Sequence, residues 1–264
     1  MIQPPTAYQG GKQRIADQIL WIINPQGDFY DLCCGCGAVS IALLNRGHNT
    51  NQIHMLDKGP WGLVWKMVGE GTFDIARFRT LIEDIPKDRS KIKSYAEGLS
   101  KQPADIDTPY VYLILQAASF GSKAIWIKDN RWQNTSFRNY WLPTETSNRR
   151  SPVNPMMPMP ETLLERMYLI CEKMYGIHGY YCDINDIEPL QGDVYIDPPY
   201  AGTTFYGHSF DVKEYVKGLK PKCYVSEGVV LSNDYVRISS GRAKGGISGE
   251  RKRTANQEFL SIFN

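Results

Sequence analysis

Apolar residues recur along this chain at two spacings, and the switches between them mark out the elements. Ile15, Ile19, Leu20, Ile22 and Ile23 fall at helical spacing just after Tyr8-Gln9-Gly10-Gly11-Lys12. Asp28-Phe29-Tyr30-Asp31-Leu32 is a short strand-forming run. It leads through Cys33-Cys34-Gly35-Cys36-Gly37 into an apolar helix opening at Ala38-Val39-Ser40-Ile41. Ile53-His54-Met55-Leu56-Asp57 predicts a second strand that ends on a carboxylate.

The stretch from about 70 to 150 has another character. Its first part is charged and helical, with Arg77, Arg79, Lys87, Arg89, Lys91 and Lys93. Residues 110–120 predict a tyrosine-rich apolar helix, and residues 123–141 interleave cations with aromatics. Pro152, Pro155, Pro158 and Pro160 exclude a regular helix across the next link. A helix then starts near Glu161 and carries Leu163, Leu164, Met167, Ile170 and Met174. Strand signals return at 179–183, at 193–197 before Pro198 and Pro199, at 222–226 and at 259–263. Strands separated by helices predict an α/β fold with a doubly wound, mostly parallel sheet. Residues 1–69 and 161–264 would form its main domain, and 70–160 a helical and loop insertion.

Composition narrows the picture. In 264 residues, 42% are hydrophobic, enough for a packed core. Formal net charge is only +2, so any nucleic-acid partner must be argued from local clusters. The sequence opens without a basic, apolar leader, and apolar runs stay short of the roughly 18 residues that span a bilayer. The expectation is a soluble cytoplasmic protein, bacterial or of a virus-infected cell, with its six cysteines reduced. Cys33, Cys34 and Cys36 match no common zinc or iron–sulfur spacing and the four histidines are scattered, so no metal is expected.

The strongest chemical signal is Asp197-Pro198-Pro199-Tyr200 at a strand end, where parallel sheets place their ligands. A proline pair removes two amide donors and leaves the Pro198 carbonyl as a fixed acceptor. A carboxylate and a carbonyl together accept both hydrogens of an aromatic amino group. Tyr200 offers a face on which a planar base stacks. The plain alternative is a proline turn. Asp31-x-x-x-Gly35-x-Gly37, between strand and helix, points to a nucleoside-like cofactor, with Asp57 placed for ribose hydroxyls. Tyr8, Gly10, Gly11 and Lys12 lack a P-loop frame, because Gln13 follows the lysine. Lys123, Trp126, Arg131 and Arg138 form a basic-aromatic segment suited to nucleic acid. Lys244, Arg251 and Lys252 form a second basic cluster around Gly245-Gly246.

In this order, the motifs resemble those of the Dam-like, D12-class family of adenine-specific DNA methyltransferases. The resemblance runs from Tyr8-Gln9-Gly10-Gly11-Lys12 through Asp31 to Gly37, Asp57 and Asp197-Pro198-Pro199-Tyr200, to a Ser248-Gly249-bearing basic loop before a last strand. It implies a class I, Rossmann-like methyltransferase fold, S-adenosylmethionine as cofactor and double-stranded DNA as partner, read by the insertion. It also implies cofactor contacts by Tyr8, Gly10, Gly11, Lys12, Asp31, Cys33, Gly35, Gly37 and Asp57. An aspartate for the cofactor adenine is Asp183, with Asp186 as the weaker candidate. The family's Gly-x-x-Arg-like stretch corresponds to Gly121-Ser122-Lys123, and lysine lacks arginine's bidentate contact to guanine. The family's Ser-Asn pair has two candidates here, Ser226-Glu227 and Ser232-Asn233. The same chemistry on RNA or protein, and a catalytically silent relative, are the alternatives.

Overall fold

The structure is a computed structural model, and it describes residues 1–189, 191–199, 211–239 and 257–264. Helix α1 (Ala16–Ile23) precedes β1 (Phe29–Leu32), α2 (Ala38–Asn45), β2 (Ile53–Asp57) and α3 (Pro60–Glu70). Then come α4 (Ile75–Glu83), α5 (Ile92–Leu99), α6 (Thr108–Ala118) and a hairpin of β3 (Trp126–Lys128) and β4 (Arg131–Gln133). The chain continues with α7 (Pro160–Lys173), β5 (His178–Tyr181), β6 (Asp193–Ile196), α8 (Val212–Lys217), β7 (Lys222–Glu227), β8 (Tyr235–Ser239) and β9 (Glu258–Phe263).

Among the described residues these strands make a seven-stranded sheet in the order β5-β2-β1-β6-β7-β9-β8. β5, β2, β1, β6 and β7 run parallel, while β9 runs antiparallel to both β7 and β8. Alternate residues feed two cores, as the pleat requires. Phe29, Ile53, Met55, Tyr195, Tyr224 and Leu260 join the larger core with α1, α2, α3, α6 and α7. Leu32, Leu56, Val194, Ile196, Cys223 and Val225 face the other way, against Val216 of α8. Helices therefore cover both faces, which is why the central strands carry no alternating polar side. No helix among the described residues is long and apolar enough to cross a membrane.

Chain order steps from β1 to β2 and β5 on one side, then crosses back to β6 on the other. Loops leaving β1 and β6 diverge at that reversal and open a crevice beyond the carboxyl ends of the strands. The segment 70–160 is not separate from this body: Phe78, Tyr110, Tyr112 and Trp132 belong to the same apolar cluster as Trp61 and Trp65.

Three local outcomes differ from expectation. Residues 126–133 form a hairpin instead of a loop; Asp129 and Asn130 both take positive φ, the type I′ turn that matches strand twist. The tyrosine-rich helix stops at Ala118, two residues early, because Ser119 turns to extended backbone. β5 ends at Tyr181, so Cys182 and Asp183 lie in the loop after it.

Candidate active site

Three loops leave the sheet at the same edge. The first follows β1, where Cys33, Gly35 and Gly37 all take positive φ and fold the chain from strand to helix. Gly37 caps α2 without a side chain, so the helix needs another acceptor for its first amides. Asp31 supplies it from the strand: its Oδ2 accepts from Ser40 N (3.3 Å) and Ser40 Oγ (2.7 Å). Burial pushes the Asp31 carboxyl up to about 7, against the pull of the Ser40 hydrogen bonds.

The second loop follows β2. Asp57 Oδ2 accepts from Gly35 N (3.0 Å) and Oδ1 from Gly59 N (2.7 Å), which ties the two loops together. Burial pushes Asp57 up to about 6, and those two amides oppose the rise. Trp65 of α3 donates from Nε1 to Gly35 O (2.8 Å) and fixes the turn from behind.

The third loop follows β6. Asp197 N donates to Leu32 O, extending the β1–β6 ladder one residue before Pro198 and Pro199. Lys12, reaching in from the N-terminal loop, donates to Asp197 Oδ1 (2.6 Å) and to Gly10 O (3.0 Å). Its Nζ is also 3.5 Å from Glu258 Oε1. Burial lowers the Lys12 ammonium, but Asp197 and Glu258 outweigh it and hold the pKa raised. Burial pushes Asp197 up to about 6; Lys12 opposes the rise, while Glu258 and Glu227 add to it.

These loops enclose one cleft of about 650 Å³. Tyr8, Gly10, Gly11, Lys12 and Cys33 line it, together with Gly35, Asp57 and Asp183. Asp31, Asp197, Pro198 and Pro199 line it too. Tyr200 lies outside the described residues, as do Lys244, Arg251 and Lys252. Gly37, expected beside a cofactor, is not in the wall: a Cβ there would strike Met55 and Trp65 at 2.6 and 2.7 Å, so its smallness serves packing. Asp31 reaches the cleft, yet its Oδ2 is committed to helix α2. Asp183 sits at the rim, paired with Lys58 (2.7 Å), and Asp186 closes a capping box with it.

The basic-aromatic segment divides. Trp126 lines the cleft, next to Ile125 and Ile127. Arg131 is exposed on β4, and Lys123 is half-buried in a turn whose carbonyl accepts from Gln116 and Ser119. Arg138 is half-buried, and burial together with Arg149 lowers its pKa. Ser226 and Glu227 are buried at the end of β7, with Ser226 Oγ 2.9 Å from Tyr195 Oη, whereas Ser232 and Asn233 lie in the turn beyond.

Glu258, Lys58, Trp65 and Ser40 escaped the sequence reading. Lys58 follows Asp57 directly and was open to inference as a rim cation; the other three act through contacts that no local spacing encodes. Among the described residues no group of three or more His, Cys, Asp or Glu side chains is placed to hold a metal. The cleft thus offers carboxylates, two partnered ammonium groups, glycine turns and aromatic walls, a lining suited to a flat heteroaromatic ligand carrying positive charge. No protein-family model matches the chain, and no curated protein matches its sequence.

Proposed function

We propose that this protein transfers a methyl group from S-adenosylmethionine to the N6 amino group of adenine in DNA, on a Rossmann-like methyltransferase fold. The observation that carries the reading is the meeting of Asp197-Pro198-Pro199 with the Gly35 turn and Asp57 in one cleft. A volume of about 650 Å³ falls in the range that encloses a cofactor with part of its substrate. Each Asp57 oxygen accepts one backbone N–H, which leaves lone pairs for a ribose diol. Asp183 stands at the rim for an adenine amino group. Asp57, Asp183 and Asp197 together give the cleft a field that favours a sulfonium cation.

When bound, the cofactor supplies an electrophilic methyl group. The protein's work is position. An adenine flipped from the duplex costs a few kcal/mol, offset by stacking and hydrogen bonds in the cleft. Asp197 and the Pro198 carbonyl accept the two amino hydrogens and turn the nitrogen lone pair toward the methyl carbon. With the cofactor bound, transfer would form the N–C bond as the methyl–sulfur bond breaks, and Asp197 or water would take the extra proton from nitrogen. A carboxylate whose pKa is lifted to about 6 is a better proton acceptor than an ordinary aspartate and still ionised at pH 7.

The test is transfer of a labelled methyl group to duplex DNA, RNA and protein, with Asp197→Ala beside the wild type. The expected result is N6-methyladenine in DNA, lost in Asp197→Ala while calorimetric cofactor binding persists. Near-wild-type turnover in Asp197→Ala, or label confined to RNA or protein, overturns the reading.

A further inference from the structure

Lys12 is only 6% exposed, and among the described residues its three N–H donors have Gly10 O, Asp197 Oδ1 and Glu258 Oε1 in reach. Two of these partners belong to the motifs already described. Glu258 does not; it opens the last strand, far along the chain from both. Sheet direction brings it there. β9 runs antiparallel to β7, so its first residue lies at the edge where the parallel strands end, with Phe259 opposite Glu227. One cation therefore serves two carboxylates in a nearly closed corner, with side chains of Asp197 and Glu258 19% and 15% exposed.

We propose that Glu258 is a positioning residue for the transfer: it anchors Lys12 so that Lys12 holds Asp197 by Oδ1 alone and leaves Oδ2 for the amino group of the acceptor. The proposal rests on the methyl-transfer reading for its purpose, but not for its geometry. Without Glu258 the ammonium has one carboxylate instead of two. It draws the charge of Asp197 onto itself and weakens that carboxylate as an acceptor. With Glu258 present the one ammonium is shared between two carboxylates, and Asp197 stays basic. Among the described residues, the other groups felt at Asp197 or feeling it are Glu227 from β7, Asp31 from β1, Tyr195 from β6, and Cys33 and Cys36 from the loop after β1. None of them contacts Lys12 in the way Glu258 does.

The experiment is a ¹³C NMR titration of the Asp197 carboxyl in the full chain, assigned by difference against Asp197→Asn. Wild type, Glu258→Gln and Glu258→Asp are compared, with melting temperature as the control for folding. Glu258→Gln is expected to lower the Asp197 midpoint by about one pH unit, because a neighbouring negative charge is gone. Glu258→Asp, which keeps the charge, is expected to restore at least half of that shift. In methylation assays the acid limb of kcat should move down with it, and kcat should fall on the order of tenfold with KM for DNA little changed. An unmoved Asp197 midpoint in Glu258→Gln overturns the proposal, as does a lowered melting temperature alone. If Glu258→Gln does not fold, Glu258→Ala, which removes the same charge, is titrated in its place, with the same lowered midpoint expected and an unmoved midpoint overturning the proposal. If the wild type methylates no DNA, the functional reading fails and the titration still decides the role of Glu258.

Discussion

Lys12 Nζ lies 2.6 Å from Asp197 Oδ1, a contact between residues 185 positions apart. It joins the glycine loop at the start of the chain to the acidic corner at the end of β6. Neither partner is well solvated, so each depends on the other for its charge. Removing one side of such a pair strands the other in a poor environment.

On the proposed methyl-transfer reading, this pair sets the pH dependence of turnover. Asp197 must be ionised to accept from the amino group, so turnover should fall as pH drops below about 6. Lys12→Met removes the group that holds Asp197 down, and the midpoint must rise. The acid limb of kcat is expected to move up by at least about one unit, so that about half or more of the activity is lost at pH 7 and is regained by about pH 9. A pH–rate profile of both proteins checks this. An unshifted limb in Lys12→Met would show that Asp197 is not the titrating group.

The Gly35 turn depends on how closely α3 rides on the sheet. A Cβ on Gly179 of β5 would lie 2.3 Å from Lys66 N and from the Trp65 carbonyl carbon. A Cβ on Gly62 of α3 would lie 2.0 Å from Asp57 O and 2.6 Å from Tyr180 O. Helix and strands thus touch backbone to backbone, and α3 carries the Trp65 indole that holds Gly35. Gly179→Ala is expected to cost about 3 kcal/mol by forcing the helix outward. Gly98→Ala, in α5 with open space around the added methyl, should be neutral or stabilising. Urea denaturation midpoints decide; equal midpoints for the two variants would mean that α3 has room to spare.

What the sequence made legible follows from where its signals are local. The runs at Phe29–Leu32, Ile53–Asp57 and Asp193–Ile196 are apolar on both faces because central parallel strands are covered twice, and they were found as strands. β8 was not found: Tyr235, Val236 and Arg237 sit exposed at the sheet edge, so burial imposes no clear pattern there. The β3–β4 hairpin was not found because its turn is Asp129-Asn130, which reaches positive φ without the glycine that usually announces it. Within the cleft, Gly35, Asp57 and Asp197 were legible from residue chemistry next to turns and strand ends, and Lys12 only through the resemblance of its motif. Asp31 was legible as the acidic member of the glycine motif, but neither its burial nor its commitment to Ser40 was. Glu258 left no trace, since only the antiparallel course of β9 brings it to Lys12.

A second titration lies on the other face of the sheet. His54 is stacked between Tyr30 (4.1 Å between ring centres) and His178 (4.6 Å), with Nδ1 3.1 Å from the Tyr180 hydroxyl. Burial first, and His178 second, push the imidazole down to about 4, with Asp28 opposing weakly. The sign follows from proton uptake. Between about 6.5 and 4 the unfolded chain protonates His54 while the folded protein does not, so stability falls as pH falls through that window and levels off below it. The raised carboxyls of Asp31, Asp57 and Asp197 act in the opposite sense, since the folded state holds their protons to higher pH than the unfolded chain does. Total stability is therefore a poor readout, and the difference between wild type and His54→Phe is the proper one, because the carboxylates are common to both. Unfolding free energies from urea titrations at pH 7.5, 6.0, 5.0 and 4.0 should show wild type losing about 2 kcal/mol relative to His54→Phe across the series, after allowance for solvent screening. A difference that stays flat from pH 7.5 to 4.0 would mean that the imidazole titrates alike in both states and that the ring stack does not shield it.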